Sequence, residues 1–349
     1  VTEPKKIKCV VWDLDNTLWE GVLLESQGPM QLKQEVSAVI RELDRRGVLQ
    51  SVASKNDHDH AMRELQRLGL ADYFLYPQIH WGAKSGSMNA IAESLNIGLD
   101  TFAFFDDQPF ERDEVSSVLN EIRCYPDSYL QDGVLLDGDF MPLYVTAESS
   151  QRRSMYLRDA ERHVARENFE GVEDAFLKTL ELVLRVAPAR EQDLFRAEEL
   201  TIRTNQLNTT GITYSVDELR NFTQSPNHQV LVAELSDTYG SYGVIGLVLL
   251  VQVDDYWRID LFLMSCRVMS RGVGGALLTL LRKAAASNEK QLQASFRHTD
   301  RNRIMFVTYR FAGFEEVDGV LVNNLDNIPP LPSYMKIEVG AELGWLQHE

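Results

Sequence analysis

The chain of 349 residues has little cysteine: three residues, Cys9, Cys124 and Cys266, scattered and odd in number. That argues against a disulfide framework and points to a reducing cytoplasm. Positive charge is also scarce, with 35 Lys and Arg against 52 Asp and Glu and a net charge of −17. This balance argues against non-specific binding to nucleic acid or to an anionic membrane. Long apolar runs are missing. The longest aliphatic stretch, V-I-G-L-V-L-L-V at 244 to 251, is far too short to cross a bilayer. The opening V-T-E-P-K-K has no apolar signal core. There are no internal repeats and no low-complexity tracts. A content of 44% hydrophobic and 25% charged residues is that of a globular protein, with length enough for two cores.

The most informative stretch is V-V-W-D-L-D-N-T-L-W at 10 to 19. Asp13 and Asp15 stand two residues apart at the end of an apolar run. Alternation along a strand sends both side chains to one side. At the edge of a parallel sheet they can flank one ligand. A carboxylate pair beside Mg²⁺ suits phosphoryl transfer, one attacking phosphorus while the other manages the leaving-group proton. An acidic surface loop is the plain alternative.

Three later strand-end signals follow in order. V-L-Q-S-V-A-S-K-N ends in Ser54, Lys55 and Asn56, where a hydroxyl can hydrogen-bond a phosphate oxygen. H-W-G-A-K-S-G-S-M places Lys84 just before a helical pattern, where it can neutralise a phosphate. T-F-A-F-F-D-D-Q-P-F-E-R ends its apolar run in Asp106 and Asp107, hard oxygen ligands suited to Mg²⁺. Each has a bland alternative: a capping serine, a solvated lysine, an acidic turn.

These four segments, over residues 5 to about 135, resemble the haloacid dehalogenase (HAD) superfamily of phosphotransferases. The resemblance implies Asp13 as nucleophile and Asp15 as general acid/base. It implies phosphate handling by Thr17, Ser54, Lys55, Asn56 and Lys84. Its metal set is Asp13, Asp15, Asp106 and Asp107, with Asp106 the main Mg²⁺ ligand. The insertion after Asp15 is short, so no large cap domain fits there.

Upstream of about residue 145, apolar strands alternate with helical patterns such as E-V-S-A-V-I-R-E-L-D-R-R-G, closed by Gly47, and D-H-A-M-R-E-L-Q-R-L-G-L, closed at Gly69. That is βαβ spacing, hence a doubly wound parallel sheet. Residues 146–174 read as a basic helical connector, with Arg152, Arg153, Arg158 and Arg162 its densest positive stretch. They are either a docking surface for an acidic partner or a solvated helix face.

Residues 175–349 have another rhythm. L-E-L-V-L-R-V-A-P reads as a strand and D-L-F-R-A-E-E-L-T-I-R-T-N-Q-L-N as a helix. H-Q-V-L-V-A-E-L-S-D, Y-G-V-I-G-L-V-L-L-V-Q-V and Y-W-R-I-D-L-F-L-M-S read as consecutive antiparallel strands. A helix opening R-G-V-G-G-A, a strand Q-L-Q-A-S-F and a helix ending Y-R-F-A-G-F follow. This pattern resembles the GNAT acyltransferase fold, a mixed, mostly antiparallel α/β domain. In that fold Arg271 to Ala276 presents backbone N–H groups to a pyrophosphate or pantetheine phosphate. Alternatively the glycines only permit close packing.

Together V-W-D-L-D-N-T-L-W-E-G-V, F-D-D-Q-P-F-E-R, R-T-N-Q-L-N-T-T, L-F-L-M-S-C-R-V-M-S-R-G-V and H-T-D-R-N-R resemble FkbH-like proteins. Nearly the whole chain is covered. The resemblance implies a glyceryl transferase/phosphatase of polyketide-type biosynthesis. It takes the glyceryl group from 1,3-bisphosphoglycerate, removes phosphate, and loads the group as a thioester on the phosphopantetheine arm of an acyl carrier protein. It also implies a cysteine as transient acyl carrier, here Cys266, with Arg267 and Arg271 near in sequence. A small core cysteine is the alternative. One departure is the extra glycine of R-G-V-G-G-A, where an acidic residue is expected; it makes the segment more like an acyl-CoA binder.

His298 is a candidate base for Cys266 or the carrier thiol, or else a structural histidine beside an aspartate. Asn205, Gln206 and Asn208 offer amides to a glycerate, or else cap a helix end. Arg267, Arg271, Gly272, Gly274, Arg301 and Asn302 complete the expected substrate or pantetheine contacts. Cys9 and Cys124 read as core. The other reading of the whole is a stand-alone Mg²⁺-dependent phosphatase whose second domain is a scaffold or a carrier-docking module.

Overall fold

A computed structural model of the chain describes residues 6–130, 137–142 and 145–346. Residues 1–5 of the charged opening and the expected limit of the first resemblance near 135 lie outside the described residues. The chain forms two compact units, Val1–Leu157 and Arg158–Glu349. The division falls inside a helix of the basic stretch.

The first unit alternates strand and helix: β1 (Cys9–Trp12), α1 (Val36–Arg45), β2 (Leu49–Ser54), α2 (His58–Arg67), β3 (Gln78–Ile79), α3 (Lys84–Leu95), β4 (Phe102–Phe105), α4 (Pro109–Val118) and β5 (Arg123–Tyr125). All pairings are parallel, in the order β3-β2-β1-β4-β5. Strand β1 is buried on both faces, because alternation sends Val10 and Trp12 into one core and Cys9 and Val11 into the other. The first core takes the apolar stripe of α1 (Val36, Val39, Ile40, Leu43) with Ala61 and Leu65 of α2. The second takes Met88, Ile91 and Leu95 of α3 with Val115 of α4. The sheet is therefore doubly wound. Gly47 and Gly69, both at positive φ, end α1 and α2. Between β1 and α1 the only helix is the short 3₁₀ turn Leu23–Glu25, so no cap domain stands there. Strand order reverses at β1, which puts the crevice between the C-terminal ends of β1 and β4.

After α5 (Ala147–Ser150) the basic stretch forms α6 (Arg152–Glu167). The second unit continues through α7 (Glu173–Thr179), β6 (Leu182–Pro188), α8 (Glu191–Arg203), α9 (Val216–Gln224), β7 (His228–Asp237), β8 (Gly240–Gln252), β9 (Tyr256–Met264), α10 (Val273–Ser287), β10 (Gln291–Ala294), α11 (Arg303–Phe311), β11 (Phe314–Val317), β12 (Val320–Asn323) and β13 (Met335–Val339). Its sheet runs β11-β12-β10-β9-β8-β7-β6-β13. Only β9–β10 and β6–β13 pair in parallel. Leu277, Leu281, Met305 and Tyr309 from α10 and α11 pack on one face, and Leu194, Leu200 and Leu219 from α8 and α9 on the other. The expected mixed, mostly antiparallel domain is thus present, and β11 to β13 extend it at its two ends.

One helix is shorter than its sequence pattern suggests. Residues 193–208 read as helical, yet α8 ends at Arg203. Beyond it the chain joins the sheet: Thr209 N–H donates to Phe262 O (3.1 Å) and Met264 N–H to Leu207 O (3.0 Å). The Asn208 side chain accepts from Thr210 N–H (3.0 Å) and Gly211 N–H (2.9 Å), a local turn that competes with helix.

Candidate active site

Asp13 follows β1 directly and is only 4% exposed. Its N–H donates to Phe105 O of β4 (2.9 Å), pinning it to the neighbouring strand end. Asp106 and Asp107 follow β4. One carboxylate oxygen from each of Asp13, Asp106 and Asp107 lies within 4.8 Å of the others. Lys84, first residue of α3, donates to Asp13 Oδ1 (2.8 Å) and to Asp106 Oδ2. Thr17 Oγ1 donates to Asp13 Oδ2 (3.5 Å) and accepts from Asp107 N–H (3.0 Å). Ser54, at the end of β2, helps to hold down the pKa of the Asp13 carboxylate.

Three carboxylates face one ammonium here. Burial raises the pKa of Asp13, against the pull of Lys84. Burial and then repulsion from Asp13 push Asp106 up to about 6. Asp107 is raised by burial and by Asp106. Burial works against the charge of Lys84, but Asp13 and Asp106 outweigh it and lift its pKa. Asp107 Oδ1 is buried without a hydrogen-bond partner. Excess negative charge, hard oxygens and one orphaned oxygen fit a divalent cation such as Mg²⁺.

The Asp15 carboxylate, expected among the metal ligands, is not one of the three clustered side-chain oxygens. Its Oδ1 accepts from Trp19 Nε1 (2.8 Å) and Leu23 N–H (3.1 Å), and its Oδ2 from Asn56 Nδ2 (3.0 Å). The turn after Asp13 thus aims the second carboxylate at donors of its own. Asn56, expected at phosphate, is one of the donors that orient Asp15. Lys55 pairs with Glu111 of α4 (2.7 Å). Glu111 and the Arg112 guanidinium, which holds the Asp106 and Asp107 carbonyls (2.7 and 3.0 Å), belong to the site but were not singled out from sequence. The segment F-E-R beside Asp107 was the available signal.

In the second unit Cys266 is half-buried and opens the 3₁₀ turn Cys266–Arg271 after β9. Arg267 donates to Tyr242 O (2.9 Å) and Arg271 to the Tyr242 hydroxyl (3.4 Å). His298 is exposed, set against the rings of Phe296 (4.8 Å) and Phe306 (5.2 Å). It lines a cleft of about 300 Å³ with Arg258, Ser295 and Glu316; Cys266 is not among the lining residues.

Several expected ligand contacts are spent on the fold. Asn302 is fully buried and donates to the carbonyls of Asn208 (3.0 Å), Thr209 (3.3 Å) and Arg297 (2.9 Å). Asn208 closes its own turn. A Cβ on Gly272 would meet the Tyr334 hydroxyl at 2.2 Å, and one on Gly274 would meet Met264 Cε at 2.6 Å. Those two glycines therefore permit packing, whereas Gly275 has open space. Asn205 and Gln206 are exposed, and exposed Arg301 stands 3.7 Å from Asp300.

Three of the connector arginines, Arg152, Arg153 and Arg162, are engaged within the fold. Arg152 donates to Gly47 O (2.6 Å) and Arg153 pairs with Asp44 (2.9 Å). Arg162, 1% exposed, pairs with Asp237 (2.7 Å) and Asp159 (2.8 Å) and stacks on Tyr242 at 3.8 Å. Acidic partners on neighbouring elements, invisible in a local charge count, take up Arg153 and Arg162.

No family model matches the chain, and no curated protein matches it. Solved structures similar to it include the N-terminal part of a Bacteroides fragilis protein containing a phosphatase domain, complexed with Mg, at 28% identity and a TM-score of 0.32. The match covers 35% of this chain and 36% of that one. A HAD-superfamily hydrolase from Ehrlichia chaffeensis is 14% identical with a TM-score of 0.29, covering 35% of this chain and 87% of that one. The Escherichia coli ribosomal-protein-S18-alanine N-acetyltransferase is 16% identical with a TM-score of 0.32, covering 38% and 79%. At such scores these likenesses carry no weight for activity, which rests on the residues described above.

Proposed function

We propose that the chain is an enzyme with two chemistries, a Mg²⁺-dependent phosphatase in the first unit and a glyceryl transferase in the second. The observation that supports it most is the buried set of Asp13, Asp106 and Asp107 around Lys84 at the switch point of a parallel sheet. In this reading Asp13 attacks phosphorus and forms a phospho-aspartate, and Lys84 and Ser54 neutralise and hold the phosphoryl oxygens. Asp15, oriented by Trp19 and Asn56, handles the proton of the leaving group and of the hydrolytic water. Asp13, Asp106 and Asp107 would hold Mg²⁺, which supplies charge neutralisation at the phosphate.

The finer assignment is loading of a glyceryl thioester onto an acyl carrier protein. Cys266 would take the acyl group of 1,3-bisphosphoglycerate, releasing phosphate, and pass it to the carrier's pantetheine thiol. Its half-buried position at a strand end supports this. Intact-mass measurement after mixing with 1,3-bisphosphoglycerate tests it. A glyceryl or phosphoglyceryl adduct on Cys266 is expected; an unmodified chain would remove Cys266 as the acyl carrier.

A second reading has its own support. The spent amides of Asn208 and Asn302 and the packed Gly272 and Gly274 fit a second unit that only scaffolds a phosphatase. It predicts phosphate release with no adduct.

A further inference from the structure

Lys84 and Lys55 both bridge to carboxylates in the first unit, and the two lysines differ in exposure. Lys84 is the inner one, its side chain 5% exposed against Asp13 and Asp106 at 6% and 0%. Lys55 is the outer one, 34% exposed, and meets a Glu111 side chain that is 8% exposed. The placement of the outer bridge follows from topology. Lys55 leaves the end of β2 between Ser54 and Asn56, and Asn56 donates to Asp15. Glu111 sits in the first turn of α4, just after Asp106 and Asp107. Strands β2 and β4 flank β1, so the Lys55–Glu111 pair spans the end of the strand that carries Asp13.

Glu111 is an expensive residue to keep. Its Oε1 bonds Lys55 and its Oε2 is buried without a partner. A buried acceptor left without a partner is destabilising. The carboxylate earns nothing from a hydrogen-bond network of its own; what it does is hold one ammonium in place. That ammonium has three donors, of which Glu111 takes one, and it is the solvent-facing member of the pair. The transferred phosphoryl group is already served by Lys84, which leaves Lys55 for a different part of the substrate.

We propose that Lys55, positioned by Glu111, is a specificity residue that reads a second anionic group on the substrate, beyond the phosphate that Asp13 attacks. The proposal rests on the phosphatase reading of the first unit. It selects phosphomonoesters with an acidic tail, such as a carboxylate or another phosphate, over neutral ones.

The test uses the full chain with Mg²⁺ and a matched pair of substrates, 3-phosphoglycerate and glycerol 1-phosphate, which differ in a carboxylate against a hydroxymethyl group. The readout is the ratio of their kcat/KM values. Wild type should favour 3-phosphoglycerate. Lys55→Met should lower the ratio about tenfold, through KM, and Lys55→Arg should restore most of it. Glu111→Gln should lower it in the same direction by less, since the lysine stays but is held more loosely. An unchanged ratio in Lys55→Met overturns the proposal, as does a wild type that prefers glycerol 1-phosphate. If wild type hydrolyses neither ester nor p-nitrophenyl phosphate, the phosphatase reading itself fails; hydrolysis of p-nitrophenyl phosphate alone sinks only the specificity proposal.

Discussion

Asp13 is buried and accepts from a lysine and a threonine, and its carboxylate is the nucleophile of the proposed phosphatase. Asp13→Asn keeps the shape and one acceptor oxygen but removes the nucleophile. Phosphate release from p-nitrophenyl phosphate should fall by at least about a thousandfold; retained turnover would move the reaction elsewhere. The three thiols differ just as sharply. Cys9 is fully buried and burial pushes its thiol up; Cys124 is pushed up to about 11, chiefly by burial. Iodoacetamide near pH 8 should therefore modify Cys266 before the other two, read by peptide mapping, and labelling of Cys124 first would count against Cys266 as a nucleophile. Asp13, Lys84 and Asp106 were legible in the sequence because strand-end position and spacing alone bring them together. Asn208 and Asn302 were not, because an amide has no preferred partner until the fold supplies one, and here it supplied main-chain carbonyls.

At the scale of elements, the turn from Cys266 to α10 is where a ligand-binding motif and a packing motif look alike in sequence. Gly272 has φ +71 and would press a methyl group on Tyr334. Gly272→Ala should cost about 1–2 kcal/mol for the left-handed backbone alone, more with the clash. Gly275→Ala, three residues on and facing open space, should be neutral or stabilise the helix by up to about 1 kcal/mol. Chemical denaturation of both variants checks this, and equal losses would contradict the packing described. The basic helix α6 gives the opposite lesson. Its Arg162 lies with Asp237 at 1% and 0% side-chain exposure. Arg162→Met would strand a buried carboxylate and should destabilise the second unit by about 3–5 kcal/mol. A loss below about 1 kcal/mol in a denaturant melt would show the pair to be solvated. Helix α6 read as basic because its acidic partners, Asp44 and Asp237, lie far off in sequence. The end of α8 was misread for a related reason: sheet pairing to β9 overrode a continuous helical pattern.

For the molecule as a whole, the two sheets were readable because each unit's strands follow one rhythm, βαβ in the first and hairpins in the second. Strands β11 to β13 were not singled out; they are short, at most five residues, and two of them end the sheet. The two compact units also make the proposed chemistry separable. Phosphorus is handled by carboxylates and a lysine in the first unit, and thioester formation needs a thiol in the second. Cys266→Ala should therefore leave Mg²⁺-dependent hydrolysis of p-nitrophenyl phosphate within about twofold of wild type while abolishing glyceryl transfer to a carrier thiol. Removing Mg²⁺ with a chelator should do the reverse: hydrolysis is lost, because the carboxylate set loses its counter-charge, while Cys266 still gains a phosphoglyceryl adduct visible by intact mass. Cys266→Ala that still loads the carrier at the wild-type rate would mean direct transfer from the acyl phosphate. In that case Cys266 is a half-buried residue at the end of an interior strand, and the thiol of the carrier itself is the only nucleophile the transfer requires.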